Sequence, residues 1–141
     1  MDSGMAISGG VLFGPNASGK TYISLDQHRG VADDQKSTWH DGFARPAEYE
    51  LFSTADAREW LDEKGNYWAV HNGGLTVLGS RGEHIAKFPR TSNNRDPWHG
   101  YPVSPKRRGL VDLPPDYCVE RWEATEAIDR VWARRIRGFK V

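Results

Sequence analysis

The chain is poor in cysteine and has no long apolar run. Its 141 residues include one cysteine, Cys118, so an internal disulfide and a cysteine-based metal cluster are excluded. No apolar stretch approaches the roughly 18 residues that a membrane helix needs. The first ten residues lack the basic start and apolar core of a secretory signal. These absences predict a protein with no membrane partner, and a cytoplasmic location is the default expectation.

The chain also lacks net charge, since 19 basic residues balance 19 acidic ones. The balance is uneven along the chain. Residues 1–80 hold 6 basic and 11 acidic side chains, whereas residues 81–141 hold 13 and 8. Either the two halves lie against each other and neutralise locally, or the basic half meets an anionic partner.

Apolar residues are scarce, at 38%, but aromatic residues are not. Five Phe, five Tyr and six Trp are too many for a disordered chain. At this length one hydrophobic core forms without disulfide or metal staples. We therefore expect a single domain over residues 1–141, with residues 1–8 as the segment open to disorder.

Alternating apolar runs and Gly-rich turns predict the strands. Residues 9–13 and 22–25 form a hairpin-like start, and residues 48–52 form a further strand. Three more strands, joined by Gly-rich turns, form an antiparallel meander over 67–71, 75–78 and 83–88.

Helix formers between a possible cap at Ser53-Thr54 and a stop at Gly65 predict a short helix near 54–64. Residues 116–137 predict a long C-terminal amphipathic helix, either continuous or broken near Ala124. Its apolar side is formed by Ile128, Val131, Trp132 and Ile136. The fold class that follows is α+β, with an antiparallel sheet of three to five strands packed against these two helices.

Two segments have no regular period and are predicted loops. Residues 26–46 are polar and contain two glycines, and a loop of this length is either functional or mobile. Residues 89–115 contain six of the eight prolines, so they favour extended or turn structure over a helix.

The string Gly-Pro-Asn-Ala-Ser-Gly-Lys-Thr at 14–21 fits the pattern G-x-x-x-x-G-K-[ST]. It resembles the Walker A loop of ABC-type and chromosome-maintenance ATPases. The resemblance implies phosphate contacts at Gly19 and Lys20 and a magnesium-binding hydroxyl at Thr21. A Gly-rich structural turn is the alternative, since residues 22–25 predict a strand where that loop requires a helix.

The segment around His99 is rich in groups that perform recognition or catalysis. His99 can exchange protons near neutral pH, Arg95 can stabilise an anionic oxygen, and Asp96 can orient the imidazole. The same segment favours binding as well, because aromatic and basic side chains stack on bases or clamp a protein partner. Its candidate contact residues are Trp98, Tyr101, Lys106, Arg107 and Arg108.

The leading functional hypothesis is a non-enzymatic binding module for an anionic partner, either nucleic acid or an acidic protein surface. It uses the 89–109 loop and the arginine stripe of the last helix, formed by Arg130, Arg134 and Arg137. The alternative is a small phosphodiester-cleaving, nuclease-like enzyme centred on His99, and nucleotide binding at 14–21 ranks third. No histidine spacing matches a zinc site, so we expect no metal and no cofactor. The oligomeric state stays open.

Overall fold

The computed structural model describes residues 4–33 and 36–141. Within these ranges six strands form two three-stranded antiparallel sheets. The strands are β1 Met5–Ile7, β2 Gly10–Phe13, β3 Tyr22–Leu25, β4 Tyr67–Ala69, β5 Ile85–Phe88 and β6 Tyr101–Val103. The α-helices are α1 Arg45–Ala57, α2 Pro105–Arg108, α3 Asp116–Ala124 and α4 Arg130–Arg137. This mixture confirms the predicted α+β class, with two small sheets in place of one.

The first sheet has the order β1-β2-β3 and contains the predicted hairpin. In its register Phe13 lies opposite Tyr22, and Gly10 lies opposite Leu25. β1 pairs with the other edge of β2, so part of the segment left open to disorder is an ordered strand. Residues 1–3 of that segment lie outside the described residues.

α1 corrects two predictions, because it covers residues 48–52, predicted as a strand, and only the first part of the predicted helix 54–64. Pro46 stands in its first turn, where a missing N–H removes no helical hydrogen bond. One face of the helix packs against both sheets. Its buried residues are Glu48, Tyr49, Leu51, Phe52 and Ala55.

α1 ends at Ala57, although helix-forming residues continue to Lys64. Glu59 has a φ of 58°, a left-handed conformation that stops the helix. The chain then turns Trp60 inward, and its ring meets that of Trp122 edge-on at 5.8 Å between centroids. Burial of a whole indole outweighs the few tenths of a kcal/mol per residue that separate helix propensities.

The second sheet has the order β4-β5-β6. Two strands of the predicted meander are present, but residues 75–78 are not a strand. The preceding Asn72–Gly74 segment is a 3₁₀ turn in which Gly73 has a φ of 70°, and Leu75 is 63% exposed. The third strand is β6, from the Pro-rich segment, where Pro102 is tolerated because β6 is an edge strand.

The C-terminal region is two helices, which is the predicted alternative with a break near Ala124. α3 ends at Ala124, Glu126 has a φ of 62°, and the Asp129 side chain accepts a hydrogen bond from the Trp132 N–H at 2.8 Å. A left-handed residue followed by a new N-cap breaks the helix. One residue of the predicted apolar side, Val131, is 59% exposed. The other three are buried, as predicted: Ile128, Trp132 and Ile136. None of the helices in the described ranges is long and apolar enough to span a membrane.

The core is dominated by aromatic side chains from both sheets and α1. Phe52 is at its centre, with ring centroids 5.4 to 5.7 Å from those of four neighbours. These neighbours are Tyr22, Tyr67, Phe88 and Trp98. Trp98 is 9% exposed, so its indole anchors the Pro-rich segment on the core.

Candidate functional site

α2 is the four-residue helix that carries the basic run at 106–108, and it corrects the prediction that the Pro-rich segment 89–115 contains no helix. The Ser104 side chain caps it by accepting a hydrogen bond from the Arg107 N–H at 3.3 Å. Pro105 occupies the first helical position and is buried. α2 is therefore held against the rest of the protein, with its basic side chains on the outside.

The first cavity beside α2, here called the basic pocket, encloses about 400 Å³ between α2, α4 and the turn before β5. Its acidic side chain, Glu83, is 3% exposed and accepts a hydrogen bond from the Arg81 N–H at 2.9 Å. Five cations line the same cavity, so its field favours an anion. They are Arg81, Lys106, Arg107, Arg135 and Lys140.

The second cavity beside α2, here called the histidine cleft, encloses about 290 Å³. The His28 and Tyr101 rings line it, with centroids 5.2 Å apart, and the His99 ring lies nearly parallel to the His28 ring at 6.4 Å between centroids. Three cations and one carboxylate surround these rings. The residues that line the cleft are His28, Lys36, Ser37, Lys87, Tyr101, Arg108, Val111 and Asp112.

His28 is held in one orientation by its own loop. Its Nδ1 lies 2.9 Å from the Ser37 carbonyl oxygen, and a carbonyl only accepts, so Nδ1 carries a proton and donates. In the neutral ring Nε2 is therefore the basic nitrogen. The His28 carbonyl in turn accepts a hydrogen bond from the Trp39 N–H at 2.8 Å.

The neighbouring Arg29 fixes this loop to α1. Its guanidinium forms a salt bridge with Glu48 and donates to the Phe43 carbonyl at 2.8 Å. Glu48 is fully buried and accepts further hydrogen bonds from the Tyr22 and Ser24 hydroxyls, each at 2.7 Å. A paired and hydrogen-bonded carboxylate of this kind is hard to displace, so it fixes the backbone beside His28.

His99 is positioned by the residues on either side of it. The preceding Trp98 pairs with β3, where its N–H donates to the Thr21 carbonyl at 2.8 Å and its carbonyl accepts from Ile23 at 2.7 Å. The following Gly100 lies so close to β5 that an added Cβ would fall 2.8 Å from the Lys87 carbonyl oxygen. Only glycine permits this approach, and it brings His99 beside His28.

Burial lowers the pKa of both imidazoles. For His28 the Ser37 carbonyl acts in the opposite direction, and the charge of Lys36 lowers the pKa further. For His99 desolvation is again the largest cause, and the charge of His28 adds to it. Because protonation of one ring opposes protonation of the other, at most one ring of the pair tends to be an imidazolium at a time.

Burial also raises the pKa of the Asp112 carboxyl, against the opposing effects of the Ser104 N–H and the Arg108 charge. The pKa of the Tyr101 phenol is raised by burial and then by Asp112. Tyr101 therefore stays protonated at neutral pH and acts as a hydrogen-bond donor.

The structure separates His99 from the two partners that the sequence suggested. Arg95 and Asp96 are both exposed, and their backbone N–H groups donate to the Asn93 side chain at 2.8 and 3.0 Å. Within residues 4–33 and 36–141 no hydrogen bond or salt bridge joins either side chain to His99. Its ring partner is His28 instead.

The arginine stripe on α4 is present, but it does not face either cavity. Arg130 and Arg134 are exposed, and Arg137 forms salt bridges with Asp116 at 2.7 Å and Glu123 at 3.7 Å. The α4 residue that lines the basic pocket is Arg135, whose guanidinium also lies over the Trp132 ring at 4.9 Å.

The Walker-like string is the loop between β2 and β3. Lys20 lies 2.9 Å from Asp56 of α1, and the Asn16 side chain accepts hydrogen bonds from the Ser18 and Lys20 N–H groups. β3 begins directly after Thr21, where a phosphate-binding loop requires a helix. Gly19, Lys20 and Thr21 thus belong to a turn whose lysine is paired within the protein.

Nine charged or titratable residues that line the two cavities were not predicted from the sequence. The one sequence signal for any of them was the unusual length of the 26–46 loop, which carries two. In the histidine cleft they are His28, Lys36, Lys87 and Asp112, and in the basic pocket Arg81, Glu83, His84, Arg135 and Lys140.

In the described residues no group of three or more His, Cys, Asp or Glu side chains is arranged to hold a metal ion. Comparison with known proteins found no matching family model, no matching curated protein and no matching solved structure.

Proposed function

We propose that the protein is a binding module for a nucleic acid strand, which lies across α2 with phosphates over the basic pocket and the histidine cleft. The observation that carries the proposal is the position of α2 between the two cavities. Lys106 and Arg107 line the basic pocket, whereas Arg108 lines the histidine cleft. Three consecutive residues therefore join two basic cavities into one continuous surface.

The local charge supports an anionic partner. The chain as a whole is neutral, so the excess of cations at the two cavities is a local feature and not a consequence of net charge. Five cations line the basic pocket and three line the histidine cleft, and the acidic side chains that face them are Glu83 and Asp112. Neutralising backbone phosphates with such groups releases counterions, and this release supplies most of the affinity of non-specific nucleic acid binding.

Rings in the histidine cleft favour nucleic acid over an acidic protein surface. Tyr101 and the two imidazoles are only partly buried, and their faces are of the kind on which unpaired bases stack. Carboxylate side chains of a protein partner do not stack on the faces of such rings. The proposal therefore places phosphates on the cations and a base beside Tyr101.

The test is fluorescence anisotropy with labelled single-stranded RNA and DNA over a range of salt concentrations. The variant Lys106→Ala/Arg107→Ala/Arg108→Ala should weaken binding and reduce the slope of log K against log salt by up to about 2, the value for three lost contacts to a single strand. The matched control Arg95→Ala/Arg130→Ala/Arg134→Ala removes the same charge from exposed positions outside both cavities, and should leave the slope nearly unchanged.

Arg107 contacts the buried Glu83 at 3.3 Å, so the double variant Lys106→Ala/Arg108→Ala tests the surface with that pair intact. Equal losses in the α2 variant and in the control would show that net charge alone governs association. Absence of nucleic acid binding together with retention of polyglutamate would favour an acidic protein partner and overturn the proposal.

A further inference from the structure

The histidine cleft contains more than a binding surface requires. The His28 imidazole and the Tyr101 phenol line it, the His99 imidazole stacks against that of His28, and the charges of Lys36, Lys87 and Arg108 surround the same space. Cations and a stacking ring suffice to bind a strand. A pair of imidazoles with perturbed acidity beside a phosphate-binding surface is the arrangement that general acid–base catalysis needs.

The geometry points to cleavage of RNA at the histidine cleft, with His99 as the general base and His28 as the general acid. This inference rests on the proposed binding of a nucleic acid strand and deepens it. Neither His28 nor its pairing with His99 follows from the sequence, because 71 positions separate the two residues.

The division of roles follows from the hydrogen bonds of the two rings. The Ser37 carbonyl accepts the Nδ1 proton of His28 and so stabilises the imidazolium form of this ring. No hydrogen bond stabilises the imidazolium of His99 within the described residues, and the positive charge of His28 opposes its protonation. When one ring of the pair is an imidazolium, that ring is therefore His28, and His99 is the neutral ring.

Each group that faces the pair contributes to this balance. Lys36 opposes protonation of His28. Lys87 and Arg108 line the same cleft and favour an anionic phosphoryl group, whereas the Asp112 carboxylate offsets part of their charge. Tyr101 presents a phenolic O–H that can donate to a phosphoryl oxygen.

The step is an internal transesterification in which atoms and protons balance. Neutral His99 removes the proton of a ribose 2′-hydroxyl, and the 2′-oxygen attacks the adjacent phosphorus to form a P–O2′ bond. The P–O5′ bond breaks, and the leaving 5′-oxygen takes the proton of His28. The products are a 2′,3′-cyclic phosphate and a 5′-hydroxyl. His99 has gained one proton and His28 has lost one, and exchange with water restores the pair.

The experiment incubates the full chain with an end-labelled RNA oligonucleotide and scores products and binding in parallel. We expect 2′,3′-cyclic phosphate ends from the wild type and a bell-shaped dependence of rate on pH. His99→Ala and His28→Asn should each lower the rate about 100-fold or more while binding persists. Asn at position 28 keeps an N–H donor near the Ser37 carbonyl, so the loop stays in place. His40→Ala, which changes an exposed histidine outside the cleft, should cleave at the wild-type rate.

The outcomes distinguish this inference from the binding proposal. Wild-type binding without product would overturn cleavage and leave binding standing, whereas neither binding nor product would overturn both. Product formation that persists in His99→Ala and His28→Asn would assign the activity to another source. Equal cleavage of an oligonucleotide with deoxyribose at every position would refute attack by the 2′-hydroxyl.

Discussion

Asp56 connects the loop at 14–21 to the core, and its replacement by Asn is the most informative stability test. The Asp56 carboxylate accepts hydrogen bonds from Asn16 at 3.1 Å and Tyr67 at 2.8 Å, and from the Ser18 hydroxyl, and it pairs with Lys20 at 2.9 Å. An amide at this position places an NH₂ group where two donors now point. It also removes the attraction to Lys20.

Hydrogen bonds to a charged partner contribute about 1.5–3 kcal/mol each, and neutral ones about 0.5–1.5 kcal/mol. Asn keeps one acceptor oxygen for the Tyr67 hydroxyl, so part of the network survives. Asp56→Asn should therefore lower the free energy of unfolding by about 2–3 kcal/mol and Tm by roughly 6–9 °C for a chain of this size. Urea and thermal denaturation measure both quantities.

The pH dependence provides an independent check. Burial raises the pKa of Asp56, but the hydrogen bonds from Ser18, Lys20 and Tyr67 and the charge of Lys20 together outweigh it, and the net shift is downward. A lowered pKa in the folded state stabilises the fold above the unfolded value of about 4, and this stabilisation is lost as the pH falls through the lowered pKa. The difference between wild type and Asp56→Asn should thus shrink on acidification.

The control is Glu50→Gln, which removes a carboxylate from an exposed position of the same helix. It should change the unfolding free energy by less than about 0.5 kcal/mol. If Asp56→Asn and Glu50→Gln had equal effects at neutral pH, the loop would not depend on Asp56 and the reasoning would be refuted.

Two further predictions concern α4 and the Walker-like loop. Trp132→Ala should lower the free energy of unfolding by about 3–5 kcal/mol, measured by chemical denaturation, because the residue is only 9% exposed. Arg134→Ala should lower it by less than about 0.5 kcal/mol. Equal losses would mean that the buried face of α4 is misassigned. ATP with magnesium should give no Lys20-dependent heat in titration calorimetry, since Lys20 already pairs with Asp56; submillimolar binding that Lys20→Ala abolishes would contradict this.

Local signals were sufficient for the first hairpin and for β4 and β5, because each has apolar runs next to Gly-containing turns. They failed where packing between distant residues decided the structure. Residues 58–64 favour a helix by propensity, yet burial of Trp60 against Trp122 ends α1 earlier. In the C-terminal region the apolar period allowed either a continuous helix or a break near Ala124, and the structure has the break, with the left-handed Glu126 after it.

The candidate site was predictable only in part. The basic run at 106–108 and His99 stand out in the sequence as unusual local composition. The meeting of His99 with His28 does not, because it depends on the pairing of Trp98 with β3, which places the Pro-rich segment beside the 26–46 loop. The sequence predicted Arg134 as a contact residue and not its neighbour Arg135. The polar stripe of a helix does not show which of its arginines lies next to another part of the protein.

The loop that carries His28 is closed at its base, so the position of His28 does not depend on the length of the loop. Two contacts tie its ends together, from the His28 ring to Ser37 and from the His28 carbonyl to Trp39. The cost of closing a loop rises only slowly with its length. Insertions or deletions between Gly30 and Asp33 should therefore alter what approaches the cleft from outside while His28 keeps its place.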